Sequence, residues 1–302
     1  MREGPDTSQP TTAFDPRVTV VVLTYNRARE IERTLRRLSS LPERPALIVV
    51  DNGSQDGTAE AVARTCPEAD LIRFSHNIGA AARNAGILLA RTPYVALSDD
   101  DTWWEEGSLK HAADLLDAYP RVAVLTARVL VGPEEREDPT CLEMAHSPLH
   151  PDMHLPGSPI LGFLAGASVV RRSALLDVGG FEPRLFIGGE ESLVAMDLAA
   201  AGWQMVYVHD LIVHHYPSSA RDHSRRRRLL LRNAIWIAWL RRPFSSAVKQ
   251  TLRLVNTHAS ESPEPTRASM LREALAGLPW IIRRRRVVPQ TVEAKIRRLE
   301  AA

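Results

Sequence analysis

The feature that most limits what this chain can fold into is a repeated change of hydrophobic rhythm between residues 18 and 101. Val18-Thr-Val-Val-Val-Leu23 is an unbroken β-branched run with no polar face, the pattern of a strand covered on both sides. After the loop of residues 25–27, residues 28–40 set Ile31, Leu35 and Leu38 at helical spacing among Arg and Glu, and Pro42 and Pro45 end that helix. Ala46-Leu-Ile-Val-Val50 is a second such strand, residues 58–64 a short helix and residues 69–74 a third strand. An Ala- and Leu-rich helix over 80–90 leads to a fourth strand, Tyr94-Val-Ala-Leu97. Strands that alternate with helices in this way predict βαβ units and a mostly parallel sheet.

Beyond residue 101 the pattern is looser. A helix is expected over 105–117, a Pro-, His- and acid-rich loop over 132–160, a strand over 162–170 and a short helix over 173–178. A helix over 192–201 closed by Gly202 and a strand over 205–208 follow. Residues 1–16 read as a disordered tail, 17–220 as an α/β domain and 221–302 as a helical, Arg-rich C-terminal region. Charge marks the same boundary: residues 221–302 hold 19 Lys and Arg against 6 Asp and Glu, while residues 1–220 hold 19 against 30. A basic region on an acidic body calls for an anionic partner, either a membrane surface or the body itself. No recognised nucleic-acid module accompanies the charge, so nucleic acid is not expected.

The two cysteines, Cys66 and Cys141, cannot form a disulfide framework or a zinc knuckle. No apolar leader segment and no run of about 20 apolar residues is present, so a soluble, cytoplasmic protein is expected, with peripheral attachment at the inner membrane face as the alternative.

Three polar clusters fall at the carboxyl ends of expected strands: Thr24-Tyr25-Asn26-Arg27, Asp51-Asn52-Gly53-Ser54 and Asp99-Asp100-Asp101. Ligands bind at that end of an open parallel sheet, and the coincidence predicts one shared site. Three adjacent carboxylates repel one another unless a cation or a donor-rich ligand is present. Such hard oxygen ligands suit Mg²⁺ or Mn²⁺ bridging to a diphosphate. The competing reading makes Asp101 the N-cap of the helix over 105–117. Neither GxGxxG nor GxxxxGK[ST] is present, which counts against a dinucleotide oxidoreductase and a P-loop enzyme. Diphosphate charge must then be met by a metal and single basic residues such as Arg83. Glu190 and Glu191 after Gly188-Gly189 offer either a general base or acids that complement a helix dipole. His214 and His215 could complete a metal shell or be structural.

Taken in order, these segments resemble the inverting family 2 glycosyltransferases of GT-A fold. The resemblance runs from about residue 17 to 220. It rests on residues 18–27, Val50-Asp-Asn-Gly-Ser-Gln-Asp-Gly57, Asn77-Ile-Gly-Ala-Ala-Ala-Arg-Asn-Ala-Gly86, Leu97-Ser-Asp-Asp-Asp101, Gly166-Ala-Ser168, Val178-Gly-Gly-Phe181 and Gly189-Glu-Glu191…Ala201-Gly-Trp203. It implies a nucleoside-diphosphate sugar donor and a hydroxyl acceptor, whether glycan, small molecule or lipid-linked. Tyr25, Asp51 and Asn52 would lie near base or ribose and Arg83 near the diphosphate. Asp99–Asp101 would form the DxD element, with Asp101 the metal ligand. The family's base is usually the Asp of a Glu-Asp pair, and here that position is Glu191, one methylene longer.

Two rivals carry different expectations. A metal-dependent sugar nucleotidyltransferase wants a Gly- and Arg/Lys-rich loop after strand one, which Thr24-Tyr-Asn-Arg27 is not. A non-catalytic nucleotide-sugar-binding module on the same fold would not need both acidic clusters. A processive polysaccharide synthase would carry a QxxRW motif, which is absent. Residues 229–240 are apolar except for Arg232 and Asn233, and with Trp236 and Trp239 they form either an interfacial helix or one packed on the domain.

Overall fold

A computed structural model describes residues 15–150, 154–218, 223–259 and 272–302. The expected alternation is realised as β1 (Val18–Thr24), α1 (Ala28–Ser39), β2 (Ala46–Asp51), α2 (Thr58–Thr65), β3 (Asp70–Arg73), α3 (Arg83–Leu89) and β4 (Tyr94–Asp99). A 3₁₀ turn, Gly79–Ala82, leads into α3. The four strands are mutually parallel in the order β3-β2-β1-β4. Their side chains explain why: Val20, Val21, Val22, Val49, Val50 and Val95 are buried with helices on either side, so no polar face was needed.

The second half continues the sheet with β5 (Thr102–Trp104), α4 (Ser108–Ala118), β6 (Val122–Val131), β7 (Arg136–Glu137), α5 (Pro139–Ala145), β8 (Ser158–Pro159), β9 (Ala167–Arg171), α6 (Arg172–Asp177), α7 (Glu190–Ala200) and β10 (Gln204–His215). The full order is β3-β2-β1-β4-β9-β6-β10-β5, with β7 on β6 and β8 on β10. The longest ladders, β1/β2, β1/β4 and β6/β10, are parallel; β9 runs antiparallel between β4 and β6, and β5 antiparallel along β10.

Several expectations change here. Residues 132–160 are not a plain loop but contain β7, α5 and β8. The Asp138 carboxylate accepts from Thr140 N at 2.9 Å as N-cap, and Pro139 sits at the first helical position, where a missing N–H costs nothing. The strand expected over 162–170 begins only at Ala167, and α7 starts at Glu190 rather than Ser192. β5 and β6 were not anticipated, and β10 runs through His214 and His215 instead of stopping before them. Residues 1–14 of the expected tail lie outside the described residues, whereas Asp15 is buried and ion-paired with Arg17.

The C-terminal region forms α8 (His223–Arg241), α9 (Phe244–Ala259), α10 (Leu278–Arg284) and α11 (Gln290–Ala301). Its apolar residues Trp236, Ile237, Leu240, Trp280 and Ile281 pack with Leu185 and Leu193 of the α/β body. Trp236 meets Trp280 edge-on at 5.4 Å, and its indole N–H donates to Ala274 O at 3.0 Å. Trp239 donates to Thr251 Oγ1. Apart from the exposed Leu230, the stretch 229–240 is therefore largely packed against the rest of the chain, and its tryptophans are not a membrane face. Even the Arg283–Arg286 run is partly internal, since Arg285 donates to the carbonyls of Trp239 and Arg242 and closes the end of α8.

Candidate active site

Parallel register brings the three polar clusters together. Thr24 lies opposite Asp51, and Leu23 opposite Asp99, so the carboxyl ends of β2, β1 and β4 open on one side. A cavity of about 520 Å³ lies there, lined by Thr24, Tyr25, Arg27, Asn52, Asn77, Arg83, Asp99–Asp101, Glu190 and Glu191. Ala165, Phe186, Ile187 and Leu229 form a less polar wall.

Two expected residues serve the loops rather than the cavity. Asp51 is wholly buried, accepts from Ser54 N at 2.9 Å and pairs with Arg73 at 3.2 Å. Asn26, at φ 53°, accepts from Gln55 N through its side chain, while its own N–H donates to Ser54 Oγ. Neither lines the cavity. Asn52 does both jobs. It donates to Asn77 Oδ1 and Gly79 O and accepts from Ile78 N, fixing the turn that carries Arg83.

The acidic run resolves into three environments. Asp99 ends β4 and is ion-paired with the buried guanidinium of Arg83. A side chain at Gly166 would bring its Cβ to 2.6 Å from Asp99 Oδ2, so that glycine makes room for the pair. Asp100 accepts from Tyr25 N at 3.3 Å, and burial together with the charges of Asp101 and Asp99 pushes its carboxyl up to about 8. Asp101 is buried, accepts from Ser218 N at 3.3 Å and faces His215 Nε2 at 3.6 Å. It caps no helix: α4 begins at Ser108 with Gly107 as its N-cap.

Alternation along β10 sends the two histidines to different surroundings. His214 stacks on Trp103, with Nε2 2.5 Å from the Glu105 carboxylate and Nδ1 3.5 Å from Glu135. His215 alone of the pair reaches the Asp101 carboxylate. Among the described residues no group of three His, Cys, Asp or Glu is arranged to hold a metal alone. Asp101 and His215 nevertheless offer a hard oxygen and an imidazole nitrogen side by side. They fit a cation whose remaining ligands come from a diphosphate, the usual mode for Mg²⁺.

Across the cavity, Glu190 and Glu191 open α7: they sit in the first helical turn, where acids complement the helix dipole, and they line the cavity. Glu190 is buried, whereas Glu191 keeps partial exposure. The Glu191 carboxyl is pushed up to about 7, first because burial strips it of water and then by the charge of Glu190; Arg83 acts the other way.

Asn77, Gly79 and Gly166 belong to motifs quoted from the sequence, without a role given to them. Phe186, Ile187 and Leu229 had no local signal, because they reach the cavity only through tertiary packing. Residues 19–179 match the family described as Glycosyl transferase family 2.

The chain is a family 2 glycosyltransferase. It is 31% identical over 238 residues to an N-acetylglucosaminyl-diphospho-decaprenol L-rhamnosyltransferase of Mycobacterium tuberculosis, covering 67% of this chain and 78% of that protein. It is 32% identical over 218 residues to a pre-mycofactocin glycosyltransferase of the same organism, covering 68% of this chain but 44% of that protein. A mannosyltransferase from Pyrobaculum calidifontis in complex with GDP-Man and Mn²⁺ superposes with a TM-score of 0.58 at 20% identity, over 99% of this glycosyltransferase and 90% of that chain. Staphylococcus aureus TarS in complex with UDP superposes with a TM-score of 0.55 at 21% identity, over 82% and 72%. These likenesses show the GT-A fold.

Proposed function

We propose that the enzyme transfers a sugar from a nucleoside-diphosphate donor to a hydroxyl of a lipid-linked acceptor in a single inverting displacement. The observation that carries this reading is the pairing, across one cavity, of Asp101, which has His215 beside it, with the Glu191 carboxyl.

Glu191 is the general base. It takes the acceptor proton as the oxygen attacks the anomeric carbon, and its raised proton affinity suits that task near neutral pH. Glu190, more deeply buried, sets the electrostatics beside it. Arg83 stands where negative charge grows on the leaving diphosphate, and Asp99 holds its guanidinium in place. Tyr25 and Asn52 bound the end of the cavity where base and ribose would lie, with Thr24, Arg27 and Asp100 beside them. Asp101 and His215 would hold Mg²⁺ or Mn²⁺, which when bound neutralises diphosphate charge. Two structural neighbours, the mannosyltransferase and GalNAc-T7, were solved with Mn²⁺, which supports the metal.

The printed activity of the mycobacterial relative makes L-rhamnose the first donor sugar, and a polyprenyl-diphosphate-linked sugar the first acceptor, to try. Among the described residues no helix is long and apolar enough to cross a membrane. In this reading the enzyme works at the inner membrane face, and the surface that meets lipid is α10. There Leu278 and Ile282 are exposed beside the exposed Arg283, Arg284 and Arg286. Salt-sensitive co-sedimentation with anionic vesicles, weakened by Ile282→Asp, is expected; no binding at low salt would end that part.

The decisive experiment is thermal stabilisation by UDP, GDP, dTDP and CDP, each with and without Mn²⁺. A shift with one of them that needs metal and disappears in Asp101→Ala supports the donor site. No shift with any would turn the reading toward a non-catalytic module.

A further inference from the structure

The loop that delivers Glu190 and Glu191 is braced within itself at its start, where Phe186 N donates to Pro183 O at 3.1 Å and Ile187 N to Leu185 O at 2.8 Å. Phe186, Gly188 and Gly189 have φ values of 63°, 90° and 89°, so three of its four residues sit in the left-handed region. Its backbone is gripped from two sides. On the donor side Phe186 O accepts from Ala80 N at 2.6 Å, and a Cβ at Gly79 would fall 2.0 Å from the same oxygen. On the other side stands α8, which grips it chiefly through Asn233.

Asn233 is fully buried. Its Nδ2 donates toward three loop carbonyls, Leu185 O at 2.8 Å, Ile187 O at 3.2 Å and Gly188 O at 2.6 Å. Its Oδ1 accepts from Arg232 Nε at 3.0 Å and from a terminal nitrogen of Arg232 at 2.9 Å. That charged donor fixes the amide the right way round, oxygen to Arg232 and nitrogen to the loop. Arg232 is itself held over the Trp236 ring, 4.3 Å from its centre, and also donates to Leu185 O. The helix lies so close that a Cβ at Gly188 would meet Leu230 at 2.7 Å and one at Gly189 would meet Ile237 at 2.9 Å.

We propose that Asn233 is a positioning residue for transfer: through the carbonyls of residues 185–188 it sets the direction in which Glu191 leaves the loop and faces the acceptor. The C-terminal region thereby supplies part of the catalytic apparatus, in addition to Leu229 on the cavity wall. This rests on the reading of Glu191 as base. The charged groups facing Glu191 are Glu190 on its own helix, Arg83 on α3 and Asp99 on β4. Loosening the loop changes its distance from all three and admits water.

The test compares Asn233→Ala with Leu240→Ala, a buried α8 residue of the same apolar cluster that makes no hydrogen bond to residues 185–188 and does not line the cavity. Hydrogen–deuterium exchange of residues 186–192 should rise at least about tenfold in N233A and stay near wild type in L240A, with residues 83–90 protected in both. With dTDP- or UDP-linked L-rhamnose and N-acetylglucosaminyl-diphospho-decaprenol, N233A should lose about 100-fold in kcat, the size expected when a reacting group is misplaced by about 1 Å. Stabilisation by the nucleoside diphosphate with Mn²⁺ should be kept, and the acid limb of the kcat profile should move to lower pH. Equal losses in both variants, or unchanged exchange and kcat in N233A, would overturn the proposal. If N233A does not fold, Arg232→Lys, which leaves Asn233 in place without its paired donor, should give the same changes at about a tenth of the size, and wild-type behaviour there counts against it. Glu191→Gln separates the two ideas: full activity in E191Q sinks the base reading, while an inactive E191Q with a wild-type N233A sinks only the positioning role.

Discussion

The cavity has two walls built in different ways. The donor wall, with Thr24, Asn52, Arg83 and Asp99–Asp101, comes from strand ends and the turns that follow them, all within residues 18–104. The base wall, with Phe186, Ile187, Glu190, Glu191 and Leu229, comes from a glycine loop that needs α8 to hold it. A strand end is fixed by its ladder, and the side chain that follows is placed by local geometry. A loop with three residues at positive φ depends on what packs on it. The difference teaches that the C-terminal helices are part of the enzyme's working surface, and that damage to the two walls should look different.

The largest expected contrast is in turnover. Glu191→Gln should lower kcat by about 10³-fold, within the range for loss of a general base, while leaving nucleoside-diphosphate binding intact. In the wild type kcat should rise with pH through about 7, because the base must be deprotonated to act. Glu190→Gln should shift that limb to lower pH by removing a neighbouring negative charge, without abolishing activity. A pH-independent kcat in the wild type would break the assignment of the base wall.

Next in size is the donor wall's metal edge. His215→Ala should weaken Mn²⁺-dependent nucleotide stabilisation by about 10- to 100-fold in metal affinity, and His214→Ala should not, since His214 faces Glu105 and Glu135. Instead His214→Ala should lower stability by about 1 kcal/mol through the lost, partly buried hydrogen bond. Equal metal effects from both would mean that the strand's alternation does not separate them.

The same asymmetry decided what was legible in the sequence. The apolar, β-branched runs of β1 and β2 announced the parallel half because burial on both faces leaves only apolar residues, and the polar ends at Thr24, Asp51 and Asp99 announced the cavity. Strands β5 and β6 were missed: Thr102–Trp104 is too short to show a period, and Val122–Val131 interrupts its apolar run with Thr126 and Arg128. Asp138-Pro139 was a readable helix start that the surrounding Pro and His obscured. Asn26 and Asp51 look like ligands in sequence because turn-building and ligand-binding use the same residue types; only burial and hydrogen bonds show them bracing the loops. The 229–240 segment read equally as interfacial or packed, since tryptophans and arginines serve both. Asn233 broke an apolar run without giving a reason, because its three partners lie more than forty residues upstream.

The smallest expected effect separates the walls by sign. The folded state binds the Glu191 proton more tightly than the unfolded chain, so between about pH 4.5 and 7 it holds more protons, and stability falls as pH rises through that window. Glu191→Gln removes the cost of the buried charge. Its stability gain over wild type should be near zero at pH 4.5 and reach about 1–2 kcal/mol by pH 8, after allowance for the side chain's partial exposure. Asp51→Asn should instead lower stability. The carboxylate there receives Ser54 N and Arg73, and its replacement should cost about 1 kcal/mol at neutral pH. Thermal melts of both variants at pH 5 and pH 8 read the two signs together. Loss of stability in both would mean that the Glu191 charge is as well solvated as any surface carboxylate, and the base wall would then have no built-in reason to hold a proton near neutrality.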